Sequence, residues 1–419
     1  MQSFTINDNI TLTYIPMDKL KTTSVEFYIH RPLVKEDASK NAILPHILKR
    51  SCSLCGDSKE VAKYLENLYG AKFSAGIAKR GDDHLISFEF ETISDKFAPF
   101  GEKLLSGVMD LALSMIFGER KGFLDEIFEQ ERKNSITKIE NIINDKRVDA
   151  LYRCQEEMAK GDRFAVPRLG YADDMRAMTR EELFGYYKEM IISSPIDIFV
   201  CGEAEPSELC KKVKEYTCGM EFKKAEMPVS KILQKDTPVN FVTEHLDVTQ
   251  GKLAVGFLTD TKASDDDYTA LAVANAVFGG GAQSKLFNNV REKLSLAYYA
   301  GSMMDKNKGI LMVNAGIEFE NRQKAYDEIM VQLEEMKKGN ITDLEFESSK
   351  GFMINSLTAC FDDHHSLISY YLGEKTGQTH TSIEEKIEKI KKVTKEDAAN
   401  AMKKVHLDTV YFLAGGEEV

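Results

Sequence analysis

Met178-Thr179-Arg180-Glu181-Glu182 opens a segment ending in Phe199-Val200-Cys201-Gly202-Glu203. Val393-Thr394-Lys395-Glu396-Asp397 opens a second, ending in Phe412-Leu413-Ala414-Gly415-Gly416-Glu417. Each reads as a helix capped by threonine, acidic in its first turn, and followed by an apolar strand. Val393 follows Met178 by 215 residues and Phe412 follows Phe199 by 213. The near-equal offsets predict two tandem copies of one α+β module.

The pattern extends outward from both anchors. Strand-like runs cover 12–15 and 25–29, the second alternating Val25, Phe27 and Ile29 with more polar neighbours. Helices are predicted over 41–50 and 59–68, the latter stopped by Gly70, and a strand over 84–90. Helical patterns over 97–117 and 124–158 follow, the latter broken near Asn144-Asp145, whose side chains compete for backbone hydrogen bonds. A helix over 181–191 and a strand over 196–200 close the first copy. The second copy reads as a strand (252–258), helices (268–278 and 282–293), strands (296–301 and 310–317) and two long helices (321–337 and 343–357). The predicted domains are 1–218 and 239–419. Residues 219–238, with Pro228, Pro238 and several lysines, read as a linker.

At 419 residues the chain is too long for one ordinary core. Its 43% hydrophobic and 29% charged residues describe a globular protein. A formal charge of -12 argues against nucleic acid, which demands a concentrated basic surface. The N-terminus reaches Asp8 without a basic and then apolar run, and no stretch approaches the roughly 20 apolar residues that span a bilayer. A cytoplasmic chain without membrane contact is therefore expected. Seven cysteines at irregular spacing suit reduced thiols, and the lone Cys52/Cys55 pair reads as packing near a helix end.

His46-Ile47-Leu48-Lys49-Arg50 is the segment on which catalysis turns. Zinc requires lone-pair donors, and attack by metal-bound water requires a base beside it. On a helix His46 and Arg50 share a face, yet lysine and arginine repel a divalent cation. His364-His365 after Asp362-Asp363 has metal-binding composition without a partner at a predictable place, and reads as a polar helix face. The glycines of Gly279-Gly280-Gly281 lack the order of a phosphate loop and read as a tight turn before a helix. No serine sits in a G-x-S-x-G elbow.

The whole pattern resembles the pitrilysin or insulinase (M16) family of metallopeptidases. Active members carry an inverted motif, His-x-x-Glu-His, whose histidines bind zinc and whose glutamate is the base; a later glutamate is the third ligand. The resemblance places His46 at the first ligand, Lys49 at the base and Arg50 at the second ligand. Counting from Glu131-Arg132 places Lys138 at the third; Glu140 lies two residues beyond, turned away on a helix. The run from Gly279 to Phe287, continued by Arg291-Glu292-Lys293-Leu294-Ser295-Leu296-Ala297-Tyr298, is similar to the noncatalytic half of the family. There an arginine and a tyrosine, matched by Arg291 and Tyr298, help hold the substrate backbone; the plain reading is a strand-entry arginine and a packed tyrosine.

The resemblance implies two homologous modules forming a clamshell, each with a mainly antiparallel sheet and packed helices. Lys49-Arg50 followed by Leu68-Tyr69-Gly70-Ala71 is closest to inactive-type bacterial members associated with elongation factor P 5-aminopentanol modification. Such a chain is expected to be catalytically silent, to hold neither metal nor cofactor, to bind peptide, and to support a zinc-bearing homologue. Lys49, Arg50 and Lys138 would favour acidic peptide segments. A stand-alone peptide-binding or scaffold homodimer, and an endopeptidase with an atypical site, are the competing readings.

Overall fold

The computed structural model describes residues 1–224 and 227–416. Glu417 of the repeat, and Ala225 and Glu226 of the predicted linker, lie outside the described residues. The chain forms two compact units. The first comprises Met1–Glu140, Val166–Val229 and Asp362–Tyr370; the second comprises Asn141–Ala165, Ser230–Phe361 and Tyr371–Val419.

In the first unit, β1 (Gln2–Thr5), β2 (Ile10–Pro16), β3 (Thr22–Pro32), β4 (Lys72–Arg80), β5 (Asp83–Ile93) and β6 (Ile196–Gly202) form one sheet. Its order is β1-β2-β6-β3-β5-β4. In the second, β7 (Asn240–Leu246), β8 (Gly251–Leu258), β9 (Ala297–Asp305), β10 (Ile310–Ile317) and β11 (His406–Gly415) are ordered β7-β11-β8-β10-β9. With β1 set aside, the orders match strand for strand. Each sheet has one parallel pair, β2 with β6 and β7 with β11, and is otherwise antiparallel. Central β6 and β10 are buried along their whole length, as their continuous apolar runs require, whereas edge β7 alternates between half-buried and exposed. This is a mixed α+β fold built twice.

The first copy carries α1 (Lys35–Leu48), α2 (Ser58–Asn67), α3 (Leu104–Phe117), α4 (Asp125–Glu140), α5 (Lys146–Met158), α6 (Ala172–Ala177), α7 (Arg180–Ser193) and α8 (Pro206–Tyr216). The second carries α9 (Tyr268–Gly279), α10 (Arg322–Lys338), α11 (Asp343–Ala359), α12 (His364–Thr376), α13 (Ile383–Lys392) and α14 (Lys395–Lys403). The threonines that mark the repeat do cap. Thr179 Oγ1 accepts from the Glu182 amide at 3.3 Å, and Thr394 Oγ1 from the Asp397 amide at 3.1 Å. α3 is apolar on nearly every side and lies between β5 and α8.

The duplication includes a helix pair. A short 3-10 turn, Asn141–Asn144, joins α4 to α5, and another, Cys360–Asp362, joins α11 to α12. Although α5 is in the first half of the sequence, its Ala150, Cys154 and Met158 pack in the second unit with Ala254, Leu258, Tyr411 and Leu413. The start of α12 belongs to the first unit in the same way, with His365 Nδ1 at 3.2 Å from Glu26 Oε1.

Several boundaries differ from those the sequence predicts. α1 starts six residues earlier than predicted and ends at Leu48. α3 starts at Leu104 because Pro99 and Gly101 (φ 76°) hold the preceding stretch out of helix. The helix predicted over 282–293 is a π-helix, Leu286–Lys293, in which the Leu294 amide reaches back to Asn289 O at 3.2 Å. Within the predicted linker, Leu233 is buried and its amide donates to Lys308 O at 2.8 Å.

Candidate functional site

α1 positions the segment that begins at His46. Packing against β4, β5 and α4 buries nine of its residues, and its C-terminus brings Lys49 and Arg50 to the side of α4. The regular spacing assumed through Arg50 is not kept. The Lys49 amide bonds Pro45 O at 3.2 Å, but the Arg50 amide bonds Ile47 O at 3.1 Å, a tightened last turn. Arg50 Nη1 then donates to Glu131 Oε1 at 3.2 Å and Nη2 to Gln130 Oε1 at 2.8 Å. Glu131, buried on α4, neutralises the Arg50 guanidinium.

The other positions converge without such compensation. Burial first, then the charges of Lys49 and Lys138, push the imidazole of His46 down to about 4, so it is neutral at pH 7. Lys138 lies two turns beyond Glu131 on α4. Desolvation, then Arg168 and Lys49, hold its ammonium below the usual lysine value; it is open to solvent, which screens much of this. Arg168 arrives by a defined route. His84 Nε2 donates to the Arg168 carbonyl at 2.9 Å, and His84 Nδ1 accepts from Asn41 Nδ2 of α1 at 3.2 Å. Lys49, Lys138 and Arg168 form no ion pair among the described residues, and no carboxylate acts on His46 or Lys138. Arg168 has no sequence signal; only folding reveals it.

This set does not fit zinc. One neutral imidazole faces Lys49 and Lys138, neither of which has an ion-pair partner among the described residues, and Glu140 is bound by Arg176. Among the described residues no group of three histidine, cysteine, aspartate or glutamate side chains is placed to hold a metal ion. Cys52 and Cys55 exchange backbone hydrogen bonds in a tight turn, and burial first pushes the Cys55 thiol up to about 12. His365 is committed to Glu26. His364 is 1% exposed, and both its ring nitrogens lack hydrogen-bond partners among the described residues.

In the second unit Arg291 sits on the π-helix, its guanidinium 4.6 Å from the Phe287 ring centroid and its Nε 3.6 Å from Glu292 Oε1. Tyr298, the second residue of edge strand β9, is exposed and donates its hydroxyl to the Glu318 carboxylate.

Residues 177–352 match the model of the "Peptidase M16 inactive domain". The chain is 33% identical over 416 residues to the "Probable inactive metalloprotease YmfF" of Bacillus subtilis, covering 97% of this chain and 96% of that one. The chain belongs to the M16 peptidase family. A crystal structure of a conserved protein from Enterococcus faecalis V583 superposes with a TM-score of 0.92 at 28% identity, covering 100% of this M16 chain and 99% of that one. An "Uncharacterized zinc protease YmxG" of Bacillus subtilis is 24% identical over 264 residues, 62% of this chain and 63% of the relative. This M16 protein is thus related to zinc proteases while being an inactive-type, non-catalytic member.

Proposed function

We propose that this chain is a non-catalytic peptidase-like subunit that holds an extended, acidic peptide and supports a zinc-bearing M16 homologue. The observation that carries the reading is the cluster of Lys49, Lys138 and Arg168, which have no ion-pair partner among the described residues, in a chain whose net charge is -12. Simple loss of zinc requires no accumulated positive charge. A carboxylate would relieve the repulsion among Lys49, Lys138 and Arg168, and Arg50 is excluded because Glu131 already holds it. α1 packs on β4, which among the described residues is an edge strand paired only with β5, and such an edge suits an added peptide strand. In the second unit Arg291 is an accessible donor for peptide carbonyls, and exposed Tyr298, whose hydroxyl donates to Glu318, can accept from a peptide amide or turn to a peptide carbonyl by leaving Glu318. The subgroup tied to elongation factor P modification supplies the same partner class and remains part of this proposal.

The test is to purify the chain alone and with a zinc-bearing M16 homologue, measuring bound zinc, complex mass and peptide cleavage. Cleavage confined to the pair, reduced by Arg291→Ala or Tyr298→Phe with assembly intact, supports the proposal. About one zinc per chain together with cleavage by this chain alone overturns it. Association only with itself favours the scaffold homodimer. Lys138→Glu should weaken an acidic peptide roughly tenfold, the loss of one charge-assisted contact, and leave a neutral peptide unchanged.

A further inference from the structure

The second unit contains a cavity of about 580 Å³ remote in sequence from the degenerate metal segment. It is walled by residues 263–267, the start of α9, Lys306, the end of α12 with Thr379 and Thr381, α13, and α14. Its volume lies in the range of small-molecule sites, about 300–1,000 Å³. Its lining carries the carboxylates Asp265, Asp266, Asp267, Glu374 and Asp397; Lys306 pairs with Glu374 at 3.2 Å and Lys404 with Asp267 at 2.6 Å, while Asp265 accepts from the Lys262 amide and Asp397 from the Thr394 amide. Glu374 also accepts from the Thr381 amide at 3.1 Å. Lys386, Lys389 and Lys392 of α13 line the same space, one helical turn apart. None has a carboxylate at ion-pair distance among the described residues. Lys386 Nζ reaches only Thr269 Oγ1, at 3.4 Å, and lies 4.8 Å from the Tyr268 ring centroid. Lys389 reaches only Thr381 Oγ1, at 3.5 Å.

We propose that Lys386 is a reactive amine that condenses reversibly with small aldehydes or ketones bearing an anionic group, which Lys389 and Lys392 hold. The cavity and the absence of a carboxylate at ion-pair distance from Lys386 among the described residues carry this assignment. Burial first, with Lys306 and Lys389 adding to it and Glu374 opposing, pushes the Lys386 ammonium down to about 8. A sizeable neutral fraction therefore exists near pH 7.5, whereas an ordinary lysine has almost none. The neutral nitrogen attacks the carbonyl carbon; the N–C bond forms and the π pair moves to oxygen, which is protonated. The nitrogen lone pair then forms C=N as the C–O bond breaks. One amine and one carbonyl give one imine and one water, with no change of oxidation state. Tyr268 lines this cavity; its phenol is held protonated by burial and then by Glu374 and Asp305, and its hydroxyl, without a hydrogen-bond partner among the described residues, can serve as a donor.

The test uses the full chain with pyridoxal 5′-phosphate as a phosphorylated aldehyde, cyanoborohydride reduction, and peptide mass spectrometry. Lys386 should be labelled roughly tenfold faster than exposed Lys391 on the same helix, since its larger neutral fraction outweighs its lower basicity. The rate should rise with a midpoint near 8. Lys389→Ala with Lys392→Ala should slow this labelling several-fold and leave labelling by a neutral aldehyde unchanged. Uniform labelling of the lysines, or a rate still climbing towards the ordinary value of 10.5, overturns the proposal. Equal slowing of both aldehydes in the double variant overturns the role given to Lys389 and Lys392.

Discussion

Arg50 and His30 show how single charged residues are held. Glu131 is buried, so removing Arg50 strands a carboxylate. Arg50→Ala should cost about 2 kcal/mol, and adding Glu131→Gln should recover part of it, because the stranded charge is gone. Urea melts of the three proteins check this; additive losses would show that the pair is not coupled. In the sheet, His30 bonds Asp83 Oδ2 at 2.6 Å and Asp197 Oδ2 at 3.1 Å. Burial alone would lower its pKa, but Asp83 and then Asp197 reverse this and hold it up at about 10. A raised folded pKa stabilises fully below the unfolded value near 6.5, and that contribution disappears as pH rises through 10. The melting temperature should therefore fall from pH 6.5 towards 10, and less steeply in His30→Gln. Asp197→Asn should cost about 3 kcal/mol at pH 6, as expected when a buried pair is broken.

Gly279 and Gly281 differ in kind although the sequence prints them together. A Cβ on Gly279 would lie 2.5 Å from Ser302 Oγ, 2.6 Å from its backbone nitrogen and 2.8 Å from Leu286 Cδ1, so the end of α9 could not stay against β9. A Cβ on Gly281 meets nothing within 4 Å. Gly279→Ala should cost about 2 kcal/mol, while Gly281→Ala should be neutral or stabilise by up to about 1 kcal/mol. Thermal melts of the two variants separate these outcomes. Periodicity alone shows a turn here but not that the first glycine is required for close approach. The same blindness misplaced the end of α1. His46, Lys49 and Arg50 have helical spacing in the sequence, but the capture of Arg50 by Glu131, 81 residues away, fixes where the chain leaves the helix. The caps at Thr179 and Thr394 were legible because a threonine and the acid three residues later act locally.

At the scale of the whole molecule, each unit draws on the other half of the sequence. Without α5, the face of β8 and β11 around Ala254, Leu258, Tyr411 and Leu413 would be open to water. A fragment of 230–419 should therefore be insoluble or bind a hydrophobic dye, and covalent addition of 141–165 should restore solubility and cooperative melting. Independent folding of the shorter fragment would refute the role given to α5. Among the described residues no helix is long and apolar enough to cross a membrane.

The sequence by itself determined that the fold is duplicated, because capped helices and alternating strands are local patterns that recur at one offset. It also placed three cations, Lys49, Arg50 and Lys138, where the family resemblance implies a base and metal ligands. Only the tertiary structure decided which cations are neutralised, which remain unpaired with Arg168 beside them, and that Lys386 faces a cavity. Those properties depend on burial and on counter-charges far along the chain, and neither leaves a local pattern to read.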